Sequence, residues 1–225
     1  FSKIGIFSSS TNPYWNGLSS LTKDLVWGIG ASKVYGISAY FRYFGSLSSG
    51  WVTYNSSYVT AGIYCIYGFN SSKAIVGTDA GYILKTTTGG SSWTKIFTSS
   101  ITSFVNAIHF YDDNEGVFLG DPRNSKWGVA RSVNAGDAWT LVDTIPSPAG
   151  SEAGLVGSNY FSEDNIWFGT TTGRLYYSAN RGRTWITDTL QIGAVITNIA
   201  FSDKNNGIVA YRESSATTSP LYLAT

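Results

Sequence analysis

The sequence predicts an all-β fold built from one four-stranded unit repeated along the chain, and three observations predict it. Five of the eight tryptophans, Trp15, Trp51, Trp93, Trp139 and Trp185, follow one another at intervals of 36, 42, 46 and 46 residues. Three of them close the same kind of small, polar, glycine-bearing segment. Between those segments run short stretches rich in β-branched and aromatic residues, broken by Asn, Asp, Gly and Pro, with no helical period of useful length. A repeat of about 45 residues holding four short strands is the period of a β-propeller blade.

Taken in order, Lys3–Phe7 and Trp15–Leu18 read as the third and fourth strands of a first blade. Four complete blades are then expected, ending near Thr189. The fullest one reads Val105–Phe110, Gly116–Gly120, Trp127–Arg131 and Trp139–Val142, separated by turn residues such as Asp112, Asp113 and Asn114. The next repeats the order with Asn159–Phe161, Asn165–Gly169, Arg174–Tyr177 and Trp185–Thr187. Ile196–Phe201, Gly207–Tyr211 and Leu221–Thr225 supply three more strands, and the chain stops where the next glycine-bearing segment is due. Residues 1–225 are thus expected to be a single propeller domain of about five blade equivalents. A third strand at both ends is one too many for a closed five-bladed ring, so the phase predicts part of a six- or seven-bladed one.

The glycine-bearing segments are Ser178-Ala-Asn180-Arg-Gly182-Arg-Thr184-Trp185, then Ser132-Val-Asn134-Ala-Gly136-Asp-Ala138-Trp139, then Thr86-Thr-Thr88-Gly-Gly90-Ser-Ser92-Trp93. Degenerate copies are read at Ser8 to Trp15 and Phe44 to Trp51. In each, the central Thr88, Asn134 or Asn180 can accept backbone N–H groups of a turn. Gly90, Gly136 and Gly182 permit positive φ, and the tryptophan offers a large apolar area to bury.

The segment at 178–185 resembles the Asp-box of the sialidase-type and BNR-repeat propellers. The longer pattern of Phe, acidic turn, Gly-x-x-x-Gly, strand and box is similar to the photosystem II stability/assembly-factor-like propeller family. Gly120-Asp121-Pro122 is similar to a turn in bacterial members of that family. The resemblance implies that each box joins the third and fourth strands of a blade, on the rim and away from the ligand face. It implies no single function, because this repeat occurs in enzymes, assembly factors and receptors alike.

Composition narrows the classes. The chain has 225 residues, a formal charge of +1 and 13% charged residues, which gives no electrostatic reason to bind nucleic acid. No apolar run is long enough for a membrane-spanning helix. One cysteine, Cys65, and one histidine, His109, exclude an intrachain disulfide and any Cys- or His-rich metal site, and no cofactor is implied. Few charges, 54 Ser and Thr residues and no Met predict a secreted or cell-surface protein. Asn55 and Asn70 begin N-glycosylation patterns, and Thr144 and Thr189 sit in a short O-glycosylation pattern of certain secreted bacterial proteins.

Catalytic signals are sparse. Sialidase chemistry needs an arginine cluster and an Arg-Ile-Pro motif, and Phe41-Arg42-Tyr43-Phe44 is the nearest segment. Glycoside hydrolysis needs two carboxylates across a cleft, with Asp79, Asp112, Asp113, Asp121, Glu152 and Asp164 as candidates. Each has a plain structural alternative as a turn or capping residue. His109 and Cys65 read as structural residues on innermost strands. Arg123, Lys126, Arg131, Arg174, Arg181 and Arg183 make 121–183 locally basic, either a solvated rim or a seat for an acidic partner. The expectation is a non-catalytic, extracytoplasmic scaffold or binding propeller for a protein or glycan, within a larger extracellular assembly. The alternatives are a carbohydrate-active enzyme and an assembly factor for a membrane complex.

Overall fold

The computed structural model describes residues 13–22, 25–32, 38–44, 51–55, 62–98, 101–190, 193–213 and 222–224. Among them there is no helix, and the strands form five antiparallel sheets. The chain divides into two compact units, Phe1–Thr98 and Ser99–Thr225.

The first unit holds two sheets. One is β1 (Pro13–Thr22), β2 (Leu25–Ser32), β3 (Ser38–Phe44) and β4 (Trp51–Asn55). The other is β5 (Ile63–Gly68), β6 (Ala74–Thr78), β7 (Ile83–Thr86) and β8 (Thr94–Phe97). The second unit holds three. Its sheets are β9 (Val105–Phe110), β10 (Gly116–Gly120), β11 (Ala130–Ser132) and β12 (Thr140–Leu141), then β13 (Gly154–Ser162), β14 (Asn165–Thr170), β15 (Arg174–Ser178) and β16 (Ile186–Thr189). The last is three-stranded, β17 (Val195–Asp203), β18 (Asn206–Arg212) and β19 (Tyr222–Ala224). Every strand pairs with its neighbour in sequence, so strand direction alternates. The 1–2 and 3–4 turns of a sheet therefore share one end, and the 2–3 turn lies at the other.

Two expectations are corrected. Trp15–Leu18 is not a fourth strand: it lies in β1, the first strand of its sheet, with Trp15 opposite Gly30 of β2. The segment runs on through Ser19 and Ser20 to Thr22 and hairpins onto β2, and the odd interval of 36 residues was the sign that Trp15 is out of step. Trp51 does open the fourth strand of its sheet. Trp127 precedes its expected strand, since β11 begins at Ala130. Lys3–Phe7 lies outside the described residues.

The core of each unit lies between successive sheets. In the first unit Trp27 and Ile29 of β2 pack on Ile63, Ile66, Val76 and Leu84, and Trp27 Nε1 donates to the Asn70 carbonyl at 2.9 Å. In the second, Val117 and Leu119 meet Ile166, Phe168 and Tyr176. Beyond them Trp167 stacks on Phe201 at 4.3 Å, beside Ile196 and Val209. Such side chains contribute roughly 1.5–3 kcal/mol each when fully buried. The approach of the last two sheets depends on Gly169, where a Cβ would stand 2.3 Å from Ile196 Cγ2. The second strands β6 and β10 are buried along their length, whereas β12 is exposed.

Candidate functional site

Three turns repeat atom for atom at one end of the sheets, joining β7 to β8, β11 to β12 and β15 to β16. The hydroxyls of Thr86, Ser132 and Ser178 accept the N–H of Gly90, Gly136 and Gly182 at 3.0, 2.9 and 2.9 Å. Thr88, Asn134 and Asn180 accept the N–H of Ser92, Ala138 and Thr184 at 3.0, 2.9 and 2.9 Å. Two consecutive left-handed residues bend each turn, the second a glycine; Gly182 has φ +81°. The N–H groups of Gly89, Ala135 and Arg181 donate to the carbonyls of Ser72, Asn114 and Asp164 at 2.8, 2.9 and 2.8 Å, tying each box to the first turn of its own sheet. Trp93 and Trp185 donate through Nε1 to the carbonyls of Gly90 and Gly182. Trp139 instead lies edge-on to Phe110 and Phe118, and its indole N–H makes no bond. Sequence reading assigned the acceptor to the central residue alone and missed the first residue of the box.

The first turns repeat as well. Asn70, Asp112 and Asp203 each accept two backbone N–H groups through Oδ1, at 2.7 to 3.0 Å. The bonds from Glu115 and Asn114 hold the Asp112 carboxyl below the usual carboxylate range.

At the same end Glu115 gathers the cations that made the sequence look basic. Its Oε1 meets Arg131 Nη2 and, at 2.7 Å, Arg183 Nη2, while Oε2 meets Arg181 Nη1 at 2.7 Å. Arg181 also reaches Asp164 at 2.6 Å. Burial acts to raise the Glu115 pKa, but the bonds from Arg181 and Arg131 and the charge of Arg183 outweigh it and hold it low. Three of the six expected basic residues are thus ion-paired here, to two carboxylates, and Arg174 is paired elsewhere with Glu152 at 2.8 Å. Sequence could not show this hub, because Glu115 lies 66 and 68 residues from two of its partners.

The third sheet departs from the repeat. Its 2–3 connection, 121–129, is far longer than the corresponding 79–82 and 171–173, and 142–153 is a second long link, from β12 to β13. Arg123 and Lys126 close a hairpin, with Asn124 and Ser125 both at positive φ. Asp121 shows what the change does. At the matching positions Asp79 and Thr171 accept an N–H within their own sheet, from Gly62 at 2.8 Å and Ala153 at 3.0 Å. Asp121 instead accepts from Asn106 Nδ2 at 2.8 Å and crosses to the N–H of Gly154, in the next sheet, at 2.9 Å. Burial raises its pKa against the pull of those two bonds.

The link 142–153 is pinned at several points. Thr144 donates to the Arg183 carbonyl at 2.6 Å, and Arg174 donates to the Ser147 carbonyl at 3.1 Å. Glu152, with its side chain wholly buried, accepts through Oε2 from Ala149 N–H, Arg174 and Tyr176 O–H, and its Oε1 has no partner. Between this link and the 121–129 connection lies a cavity of about 150 Å³, walled by Trp127, Val142 and Ile145 among others.

The remaining expected residues do not converge on one site. His109 stacks on Phe161 at 4.6 Å and lies edge-on to Tyr111, and burial pushes its pKa down to about 4. Burial pushes the Cys65 thiol up to about 12, far from a reactive thiolate. Asn70 is exposed in the β5–β6 turn and Thr189 is exposed at the end of β16, while Asn55 ends β4. Among the described residues no group of His, Cys, Asp or Glu could hold a metal ion, and no helix is long and apolar enough to cross a membrane.

No protein-family model and no curated protein matches the sequence. Solved structures do. An ancestral GH74 enzyme superposes on 95% of this chain and 30% of its own, with TM-score 0.69 and 19% identity. The WD40 beta propeller domain of Doa1 covers 95% of this chain and 70% of its own, with TM-score 0.57 and 11% identity. The fold is a β-propeller. A structure of YCF48 bound to a D1 peptide aligns with 89% of this chain and 91% of its own, at TM-score 0.47 and 12% identity. The chain spans less than a third of the GH74 enzyme, and identities at this level speak for the fold alone. The resemblance read from the boxes and the superpositions agree on that fold.

Proposed function

We propose that this propeller is a non-catalytic binding module, working outside the cytoplasm, whose ligand contacts are made by the long connections of its third described blade. The observation that carries this reading is the placement of the departures. The long connections 121–129, within the third described blade, and 142–153, leading out of it, together border a cavity, where the corresponding turns 79–82 and 171–173 are short. The carboxylates that an enzyme would need are engaged in holding structure: Asp79, Asp112 and Asp121 on backbone N–H groups, Glu152 on Arg174, and Asp164 on Arg181. The low charge and high Ser and Thr content support the extracytoplasmic setting.

One observation favours the enzyme reading. Asp121 is half-buried with a raised pKa, the condition of a general acid, and Glu152 lies two positions before the glycine it bonds. Peptide and glycan arrays run beside a glycosidase panel decide between the two. Saturable binding without turnover is the expected result. Turnover of any glycan that is lost in Asp121→Asn overturns the binding-module reading.

A further inference from the structure

The outermost strand of the third blade, β12, is two residues long, and both are exposed. Thr140 stands opposite Arg131 and Leu141 opposite Ala130, and the Val142 N–H donates to the Val129 carbonyl at 2.9 Å. Residues of an antiparallel edge strand alternate between bonding inward and pointing their N–H and C=O away from the sheet. The bond at Val142 therefore assigns Thr140 and Val142 to the inward set. Leu141 is left with both backbone groups directed outward, and Asp143 follows it at the two-residue spacing a further strand requires.

The same residues border the cavity. Leu141, Val142 and Asp143 line it, and Ile101, Trp127 and Ile145 complete the apolar wall, with Lys126 also reaching in. A cavity of roughly this size with aliphatic walls accommodates a benzene-sized group. The outer strands of the sheets on either side carry a charge that discourages strand addition, Lys95 on β8 and Asp188 on β16; β12, like β4 and β19, carries none. Leu141 is 44% exposed beside this unguarded edge.

We propose that β12 and the cavity together receive an extended peptide segment of a partner protein. The segment adds as a fifth strand alongside Leu141 and Asp143 and places one aliphatic side chain in the cavity. The inference rests on the reading of the protein as a binding module and names its ligand. A peptide fits better than a glycan for two reasons. The outward amide and carbonyl groups match a main chain, and Trp127, only 3% exposed, offers no open ring for a sugar to stack on. Lys126 and Asp143, one charge of each sign at the cavity, favour a segment of low net charge over a strongly acidic or basic one.

The test is selection from a phage-displayed library of random peptides, with the affinity of the selected peptides measured on variants. Leu141→Pro removes an outward N–H and no inward bond, so the fold stands and peptide affinity falls at least about tenfold. Leu141→Ala keeps that N–H and loses less. Asp143→Pro, compared with Asp143→Asn, repeats the comparison two residues on. Amide exchange at Leu141 and Asp143 slows when peptide is bound. Peptides that bind wild type and Leu141→Pro equally, or a library that yields none, overturn the inference. Glycan binding in their place overturns it while leaving the binding-module reading intact; glycan turnover removes both.

Discussion

The box turns and the two long connections of the third blade follow opposite rules. Boxes 46 residues apart put the same atoms at the same distances, with Ser132 and Ser178 each 2.9 Å from the glycine N–H they hold. The connection 121–129 does not copy the short 79–82 and 171–173, and Asp121 there abandons the bond that Asp79 makes within its own sheet. A feature that recurs from blade to blade, as the boxes do in three successive sheets, is one those blades need for folding. A feature confined to one blade, which the others fold without, is where a ligand contact is to be sought. Substitutions in the first class should lower stability and spare binding, and those in the second should do the reverse.

The largest stability effect is expected at the joint between the third and fourth blades, where His109 stacks on Phe161. The folded protein holds His109 neutral down to about pH 4, whereas an ordinary imidazole protonates near 6.5. The unfolded chain therefore takes up the proton first. Stability is full above 6.5 and falls as pH drops through that window, with about 3 kcal/mol lost by the time the folded-state value is reached. His109→Phe keeps the stacked ring and should flatten this slope. Melting temperature followed from neutral pH to about 4 measures it, and a slope equal to that of wild type refutes the assignment.

Next in size is Glu115→Ala, which leaves Arg131, Arg181 and Arg183 facing one another. It should cost about 2–3 kcal/mol in urea denaturation, below the range for fully buried pairs because the guanidinium groups are partly exposed. Ligand binding should be unchanged. Ser178→Ala follows at about 1 kcal/mol, the loss of one hydroxyl acceptor on a buried glycine N–H. Ser132→Ala should cost the same, and a difference of more than about twofold would break the equivalence of the boxes. Smallest is Leu141→Pro, with a stability change under about 0.5 kcal/mol on an exposed edge. A large loss of stability there would place the residue with the repeating parts of the molecule.

The limits of sequence reading follow the same division. The boundaries of β9 and β10 were legible to the residue, because their β-branched and aromatic stretches end in turn residues. Trp15 misled about strand order, since it lies in a first strand and not a fourth, and Trp127 misled about a strand's start, since its aromatic and aliphatic neighbours look like a strand from 127 while β11 begins at Ala130. Trp127 belongs to the long connection 121–129, which the neighbouring 79–82 and 171–173 do not copy, so neither could correct it. Asp121, Glu152 and Arg174 were each picked out as individual residues. Their partners could not be, because Asp121 bonds a residue 33 positions away and Arg174 one 22 positions away.

The sequence by itself determined the all-β fold, the four-strand period and the box turns. Each of these is local: a strand and its turn are encoded within a few residues, and repetition multiplies the signal until chance is excluded. Only the tertiary structure decided how the charges pair, which carboxylates are occupied and where an edge lies open beside a cavity. Those depend on residues brought together from separate strands and successive blades, whose separation along the chain leaves no periodic trace to read.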